Sequence, residues 1–573
     1  MIVHVLACDY DGTIAAAGEV AEAMLAALGR VRESGRKLLL VTGRLLDDLR
    51  AVFPNVDGFF DAVVAENGAV LYFPRRREVK ILGAPPEPGL LEALRRQGVP
   101  FDMGAAIVAT GAGFAETALA AIREAGVERT LVFNKGSLML LPGGVTKGTG
   151  LAAALTSMEL SPHNAVGIGD AENDHAFLSA CECAVAVADA IPALRERADI
   201  VTTAPNAAGV VEFIERHLLT DLVDIVPRLA RHQLQLGARA DETPVTIPAH
   251  GTCLLIVGPS ESGKSTLTGV LVERLVEAGR VVCLLDPEGD FQTLAELEGV
   301  VVLGGKTEHA LPAPDELGQL LSRTSLVLDL SAMSRAEKVG YATKAMATIA
   351  AVRAATGMPH WLIIDEAHHI APLDGSTADE WLRPGGESVA LITLAAGELS
   401  REVWPLVNAI ASTELDAFQE AMRMVVGPAK EEMPRVTGGP LAQGEVVLTD
   451  LRGPAARAER FQVARRRVVH RRHLRKYAGG ELPPDRSFYF RGPEGKLNLR
   501  AANLARFCEL AEGVDEGTWA YHLRGGEYSV WIAAMIKDPE LAREVAAIER
   551  APDSDPGEAR RQVLEAIRRR YAV

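Results

Sequence analysis

The sequence predicts an α/β protein: two doubly wound parallel-sheet domains followed by a small mixed α/β domain. Three observations carry that expectation. Short apolar runs alternate with amphipathic stretches through the first 220 or so residues, and the same alternation restarts near residue 250. Beyond residue 456 the alternation gives way to aromatic residues set among glycines and charges. At roughly 150 residues per domain, 573 residues are enough for several separate cores.

In chain order, strands are predicted over Val3 to Cys8, Lys37 to Val41, Ala62 to Ala65, Ala165 to Ile168 and Ala184 to Val187. A helical stretch from Ala207 to about Leu236 leads into the proline-marked segment Asp241 to Pro248, so residues 221–245 read as a helical linker. The second domain, residues 246–455, is expected to use strands Cys253 to Val257, Val281 to Leu285, Ser325 to Leu330, Trp361 to Ile364, Val389 to Leu394 and Val446 to Leu448. Residues 456–573 hold a basic tract and a small domain closed by a helix from about Gly557 to Arg570.

Hydrophobic residues make up 48% and charged residues 24%, the proportions of a folded globular chain. The net charge of -16 repels polyanions, so nucleic acid is not the default partner. The local exception is the run Arg465, Arg466, Arg467, His470, Arg471, Arg472, His473, Arg475 and Lys476, which reads as a solvated face or a partner for an acidic surface. The six cysteines lack the paired spacing of a zinc site and read as reduced core residues. Neither a signal peptide nor a run of roughly 18 apolar residues is present, so a cytoplasmic protein is expected.

Asp9 and Asp11 follow the first strand, and residues two apart on a strand share a face. Asp9 can act as nucleophile, while Asp11, if its neighbour raises its pKa, can carry a proton. Two anions facing a phosphate need a hard divalent cation, and magnesium fits oxygen ligands. The loop Gly169-Asp170-Ala171-Glu172-Asn173-Asp174 follows another strand; Asp170 is placed to bind the metal that Asp9 and Asp11 share, and Asn173 and Asp174 to orient the loop and its waters. Thr42 can donate to a phosphoryl oxygen, and Lys147 supplies positive charge, with Lys135 as an alternative.

These four motifs, in this order, resemble the haloacid dehalogenase superfamily of phosphatases, and Asn67-Gly68 with the Asp170 loop resembles its Cof-like subgroup. The resemblance implies a Rossmann-like core, magnesium, an aspartyl-phosphate on Asp9 and a small phosphorylated substrate, sugar phosphates being among those of the subgroup. It also implies a cap inserted after the second motif, here from about Tyr72 to Leu141, which is short for the group.

A second site is predicted at Gly258-Pro259-Ser260-Glu261-Ser262-Gly263-Lys264-Ser265-Thr266, between a strand and a helix, which fits the Walker A pattern. Its backbone would cradle the phosphates of ATP, Lys264 would reach the β and γ oxygens, and Ser265 would take magnesium. Asp365 and Glu366 end the strand Trp361 to Ile364 as a Walker B pair, Asp365 holding metal through water and Glu366 activating the attacking water. Together with Asp286-Pro287-Glu288-Gly289-Asp290, the segment resembles the HerA and VirB4-like additional-strand ATPases. That likeness implies a hexameric ring with an arginine from a neighbour, for which Arg383 and Arg401 are candidates and a surface role the plainer reading. At Thr393-Leu394 the relatives often carry a glutamine, which puts coupling to a motor cycle in doubt.

The aromatic and arginine residues around Tyr489 to Arg491, Leu497 to Leu504 and Trp519 to Leu523 fit base stacking or core packing. The function expected is a magnesium-dependent phosphomonoester hydrolase fused to an ATP-binding, ATP-hydrolysing domain that regulates or couples to it. The alternative is an ATP-driven nucleic acid translocase with an accessory phosphatase.

Overall fold

The computed structural model describes residues 3–571 apart from 17, 135, 224, 226–227, 306, 308, 371–387, 428–435, 437–438, 453–456, 468–481, 483, 485, 537 and 552–554. Lys135, Arg383 and the basic tract from His470 to Lys476 lie outside the described residues. The chain divides into two compact units, residues 1–289 with 297–465 and residues 290–296 with 466–573.

The first unit holds both predicted sheets. One has eight strands in the order Ile200–Val201, Cys183–Ala186, Ala165–Gly169, Val5–Cys8, Lys37–Val41, Ala62–Ala65, Val70–Phe73 and Glu78–Ile81. The first six run parallel and the last two antiparallel. The central runs are buried along their whole length, as expected of strands covered on both faces.

The cap begins later than expected. Tyr72 belongs to Val70–Phe73 in the large sheet, where its hydroxyl donates to Asp57 at 2.8 Å. The separate layer starts at helix Pro88–Arg96 and has four antiparallel strands, Asp102–Met103, Val108–Gly111, Ser137–Pro142 and Arg129–Asn134, with helix Ala115–Ala125. Its own core includes Leu90, Leu94, Val108, Ile122 and Leu140. The hairpin over 70–81 was indistinguishable from cap because its pairing with Ala62–Ala65 is a tertiary fact.

The second sheet has eleven strands. Six parallel ones run in the order Ala409–Ser412, Cys253–Val257, Ser388–Thr393, Trp361–Ile364, Val282–Asp286, Ser325–Asp329 and are joined at the edge by a seventh, Val300–Gly304. Beyond Ala409–Ser412 an antiparallel wing adds Glu445–Asp450, Ala458–Val463, Gln233–Ala238 and Pro244–Pro248. This corrects the helical linker over 221–245, whose last part is strand. Leu234 and Leu236 are buried while Gln235 is exposed, the period of two that marks a half-buried strand. It also carries the sheet past residue 455, to Val463.

The two large sheets meet near the amino ends of their strands. His250, Arg280 and His360 lie just ahead of Cys253–Val257, Val282–Asp286 and Trp361–Ile364; Asn164 and Glu182 lie just ahead of Ala165–Gly169 and Cys183–Ala186. Across this seam Arg280 donates to both oxygens of Glu182 at 2.9 Å, and His360 Nε2 bonds Ser161 Oγ at 3.0 Å. Arg280 Nη1 also donates to His250 Nε2 at 2.7 Å, and burial pushes His250 from 6.5 down to about 3, against the pull of Glu182. Below pH 6.5 the unfolded chain gains a proton that the folded one refuses, so stability is lost as pH falls from 6.5 toward 3. We expect the melting temperature to drop between pH 7 and pH 5, and the drop to shrink in His250→Gln; equal slopes in both proteins would assign the effect elsewhere.

The second unit pairs a hairpin, Phe488–Phe490 with Leu499–Ala501, with helices Leu504–Gly513, Glu516–Arg524, Glu527–Trp531, Pro539–Glu549 and Pro556–Tyr571. Of the two readings of its aromatics, core packing holds for most. Phe488, Phe490, Phe507, Trp519, Tyr528 and Trp531 are buried together, and Trp519 stacks on Tyr528 at 4.3 Å. Tyr521 remains exposed. All six cysteines are buried and free. Among the described residues, no helix is long and apolar enough to cross a membrane.

Candidate active site

Strand ends of the first sheet bring one predicted constellation together. Asp9 leaves Val5–Cys8, Thr42 leaves Lys37–Val41 and Asp170 leaves Ala165–Gly169, three adjacent parallel strands. Such carboxyl-end crevices are where open α/β sheets bind ligands. Lys147 arrives from the side, at the first position of helix Lys147–Ser157, whose Thr146 and Thr149 form a reciprocal cap. A lysine at a helix amino end opposes the helix dipole. What offsets that cost is two carboxylates: Lys147 Nζ donates to Asp9 Oδ1 at 2.5 Å and to Asp174 Oδ1 at 2.6 Å.

Asp174 ties down its own loop. Its second oxygen accepts from the amides of Asp170 and Ala171 at 2.8 and 2.9 Å, so both of its oxygens are committed. Asp170 Oδ1 accepts from Thr13 at 3.1 Å. Asn173 Nδ2 donates to Asn67 Oδ1 at 2.7 Å, while Asn173 Oδ1 is buried without a hydrogen-bond partner. Thr42 is buried and accepts from the Arg44 amide at 3.1 Å.

Electrostatics set the requirement for a cation. Burial, then the Asp174 carboxylate, push Asp9 well above its usual pKa range, and Lys147 only partly opposes them. Burial would lower Lys147, but Asp174 and Asp9 hold it above its ordinary value. Carboxylate oxygens of Asp9, Asp170 and Asp174 lie within 4.8 Å of one another. Three carboxylates around one ammonium leave excess negative charge in a buried, all-oxygen cluster, which fits a magnesium ion held by Asp9 and Asp170.

Asp11 stands apart from that cluster. Its two oxygens accept from Arg44 Nε and Nη2, each at 2.7 Å, in a forked ion pair. Its side chain is therefore not brought among the metal-holding carboxylates, and proton delivery from it requires the pair to open. Arg44 and Glu66 carried no role in the sequence reading. The Glu66 carboxylate accepts from the amides of Ala105 and Ala106 at 3.0 Å each, joining the large sheet to the cap layer. Its only sequence signal was its place beside Asn67-Gly68 at a strand end.

Gly68 makes the fit possible. At φ +103° it occupies backbone space that favours glycine, and a Cβ there would come within 2.0 Å of the Thr146 carbonyl. We expect Gly68→Ala to cost about 2 kcal/mol or more in urea unfolding. A cost near zero would mean that the helix carrying Lys147 shifts freely.

The second predicted constellation lies on the eleven-stranded sheet. The loop from Gly258 to Gly263 joins Cys253–Val257 to helix Lys264–Glu277. Lys264 Nζ donates to the Gly258 and Pro259 carbonyls at 2.8 and 2.9 Å; Ser265 is buried and Thr266 exposed. Gly258 lies against Thr413, leaving no room for a Cβ. Asp365 and Glu366 follow Trp361–Ile364, which is separated from the loop's strand by Ser388–Thr393. Both are buried, and Glu366 Oε2 has no hydrogen-bond partner. Thr393 Oγ1, at the end of its strand, meets His368 Nδ1 at 3.2 Å. Arg401 is exposed.

The sequence profile of the haloacid dehalogenase-like hydrolases matches residues 6–83 and 114–214. The phosphoglycolate phosphatase of Methanothermobacter thermautotrophicus is 33% identical over 222 residues, 37% of this chain and 98% of that protein. Phosphoglycolate phosphatase 2 of Saccharolobus solfataricus is 32% identical over 224 residues, 37% of this chain and 91% of that protein. Among solved structures, a haloacid dehalogenase-like hydrolase from Bacteroides thetaiotaomicron aligns with a TM-score of 0.33 at 20% identity, covering 37% of this chain and 99% of that one.

Proposed function

Because the chain belongs, through its first 220 or so residues, to the haloacid dehalogenase-like hydrolases, we propose that it hydrolyses a small phosphomonoester through an aspartyl-phosphate on Asp9. The observation that carries the reading is the buried arrangement of Asp9 against Lys147, with Asp170 and Asp174 beside it. In the first step an Asp9 oxygen attacks phosphorus and the ester oxygen leaves, taking a proton from Asp11. In the second, water attacks phosphorus and gives a proton back to Asp11, phosphate departs and the Asp9 carboxylate is restored. Bound magnesium would offset the charge of the carboxylates and the phosphoryl oxygens. Lys147 holds the Asp9 carboxylate in place, and the Thr42 hydroxyl would donate to the transferring group.

The relatives' names favour phosphoglycolate, an ester with its own carboxylate. Arg44 supports that class. A substrate carboxylate that takes over its guanidinium frees Asp11 to take up a proton from solvent and pass it to the leaving oxygen. Phosphate release from phosphoglycolate, sugar phosphates, nucleotides and phosphorylated nucleic acid ends, each with magnesium, tests the reading. We expect phosphoglycolate to lead, and Arg44→Ala to raise its KM about tenfold or more while changing sugar phosphates less. Turnover confined to nucleic acid ends would overturn the small-ester assignment.

For the second site we propose ATP binding and hydrolysis that modulates the phosphatase. Support comes from the strand, glycine loop and helix around Lys264, and from the strand Ser388–Thr393 inserted ahead of Asp365 and Glu366. Glu366, buried at a strand end with His368 Nδ1 3.5 Å from its Oε2, suits the activation of a water.

A further inference from the structure

The seam between the two large sheets holds a group of side chains that neither proposed site uses. Glu182 is 1% exposed, and four basic groups face its carboxylate. Arg280 Nη2 lies 2.9 Å from each oxygen, His163 Nδ1 3.1 Å from Oε2, His232 Nε2 3.6 Å from Oε2 and His250 Nε2 3.5 Å from Oε1. His360 stands edge-on to His163, with ring centres 5.4 Å apart.

Counting lone pairs separates these rings. His250 Nε2 lies 2.7 Å from Arg280 Nη1 and 3.1 Å from the His163 carbonyl, so this nitrogen is already in use in either tautomer. His360 Nδ1 accepts from the Val281 amide at 2.8 Å, which leaves its Nε2 proton for Ser161. Both rings are therefore committed. His163 Nδ1 and His232 Nε2 remain, and both point to the same oxygen of Glu182. At 3.6 Å the His232 contact is too long for a hydrogen bond, and this nitrogen is buried without a partner. A buried nitrogen left this way is unfavourable unless a ligand or solvent satisfies it.

We propose that His163 Nδ1, His232 Nε2 and Glu182 Oε2 bind one divalent transition ion of the zinc class, with solvent as a fourth ligand. The three atoms lie within 4.8 Å of one another, close enough to share one small cation. Two imidazole nitrogens and a carboxylate oxygen are the donor set such ions take, and one that magnesium does not favour. His163 and His232 keep 17% and 15% of their side chains exposed, which gives an ion a way in. Arg280 works against affinity, since its fixed charge faces the same carboxylate. It occupies two of about four acceptor positions on Glu182 and leaves Oε2 an outer lone pair. The site is therefore weaker than one built from thiolates. His163 and Glu182 border the first sheet, whereas His232 immediately precedes strand Gln233–Ala238 of the second, so the ion ties the two together.

The test uses the full chain with Asp170→Asn, which removes the phosphatase metal site, stripped by chelator and titrated with Zn2+ and Co2+. We expect one equivalent of zinc, the intense visible absorption of four-coordinate cobalt, and a rise in melting temperature with zinc. Adding His232→Ala should weaken zinc binding about 100-fold or more and abolish the absorption, leaving the melting temperature of the metal-free protein within a few degrees. Should that variant not fold, His163→Ala gives the same reading. No zinc bound in the parent, or equal binding after either substitution, would overturn the site and leave the gap to water. Phosphoglycolate turnover does not enter this readout, so failure here leaves the phosphatase reading intact.

Discussion

Asp9→Asn is expected to lower phosphoglycolate turnover by at least about 10^4-fold, the scale on which covalent catalysts lose activity with their nucleophile. The same substitution should raise the melting temperature of the magnesium-free protein at pH 7. Burial and the Asp174 carboxylate hold Asp9 above its ordinary pKa, so its ionisation costs the folded state. The sign follows from linkage: the contribution is favourable below the unfolded value near 4 and is lost as pH rises through the raised folded value. Asn carries no charge, so the variant's advantage should be largest at neutral pH and vanish in acid. Added magnesium should narrow it by stabilising the parent alone. A variant less stable than the parent at pH 7 would show instead that the Lys147 bond outweighs burial.

Lys264→Ala is expected to weaken MgATP binding at least about 100-fold, read by titration with a fluorescent ATP analogue. The Lys264 ammonium bonds the loop carbonyls of Gly258 and Pro259, so the substitution removes both the cation proposed for the phosphates and a brace of the loop. Phosphatase turnover without ATP should remain near the parent value. The two sites sit at the carboxyl ends of their strands, while the sheets meet near the amino ends. Any dependence of phosphatase rate on ATP should disappear in this variant. ATP binding that survives Lys264→Ala would contradict the nucleotide reading.

The first sheet was legible because its central strands are apolar throughout and are followed directly by Asp9, Thr42 and Asp170, each placed by a local strand end. Lys147 was legible from its motif, but the reason for its burial, a pair of carboxylates distant in sequence, was not. The strands Gln233–Ala238 and Pro244–Pro248 were hidden inside an apparent helical linker because a short apolar stretch carries both periods. The Arg44 fork on Asp11 could not be read at all: an arginine 33 positions away has no local signature of its partner. The seam histidines look unrelated in sequence, since residues 163, 232, 250 and 360 converge only when two sheets dock. The aromatic run after Phe488 had two readings until burial chose the core.

The most direct measurement is acid quenching during turnover of phosphoglycolate with magnesium, followed by mass mapping of the phosphorylated peptide. The account predicts one phosphoryl group on Asp9, released by water and absent in Asp9→Asn. A phosphoryl group on any other residue, or rapid turnover with none trapped under conditions that preserve acyl phosphates, would contradict it.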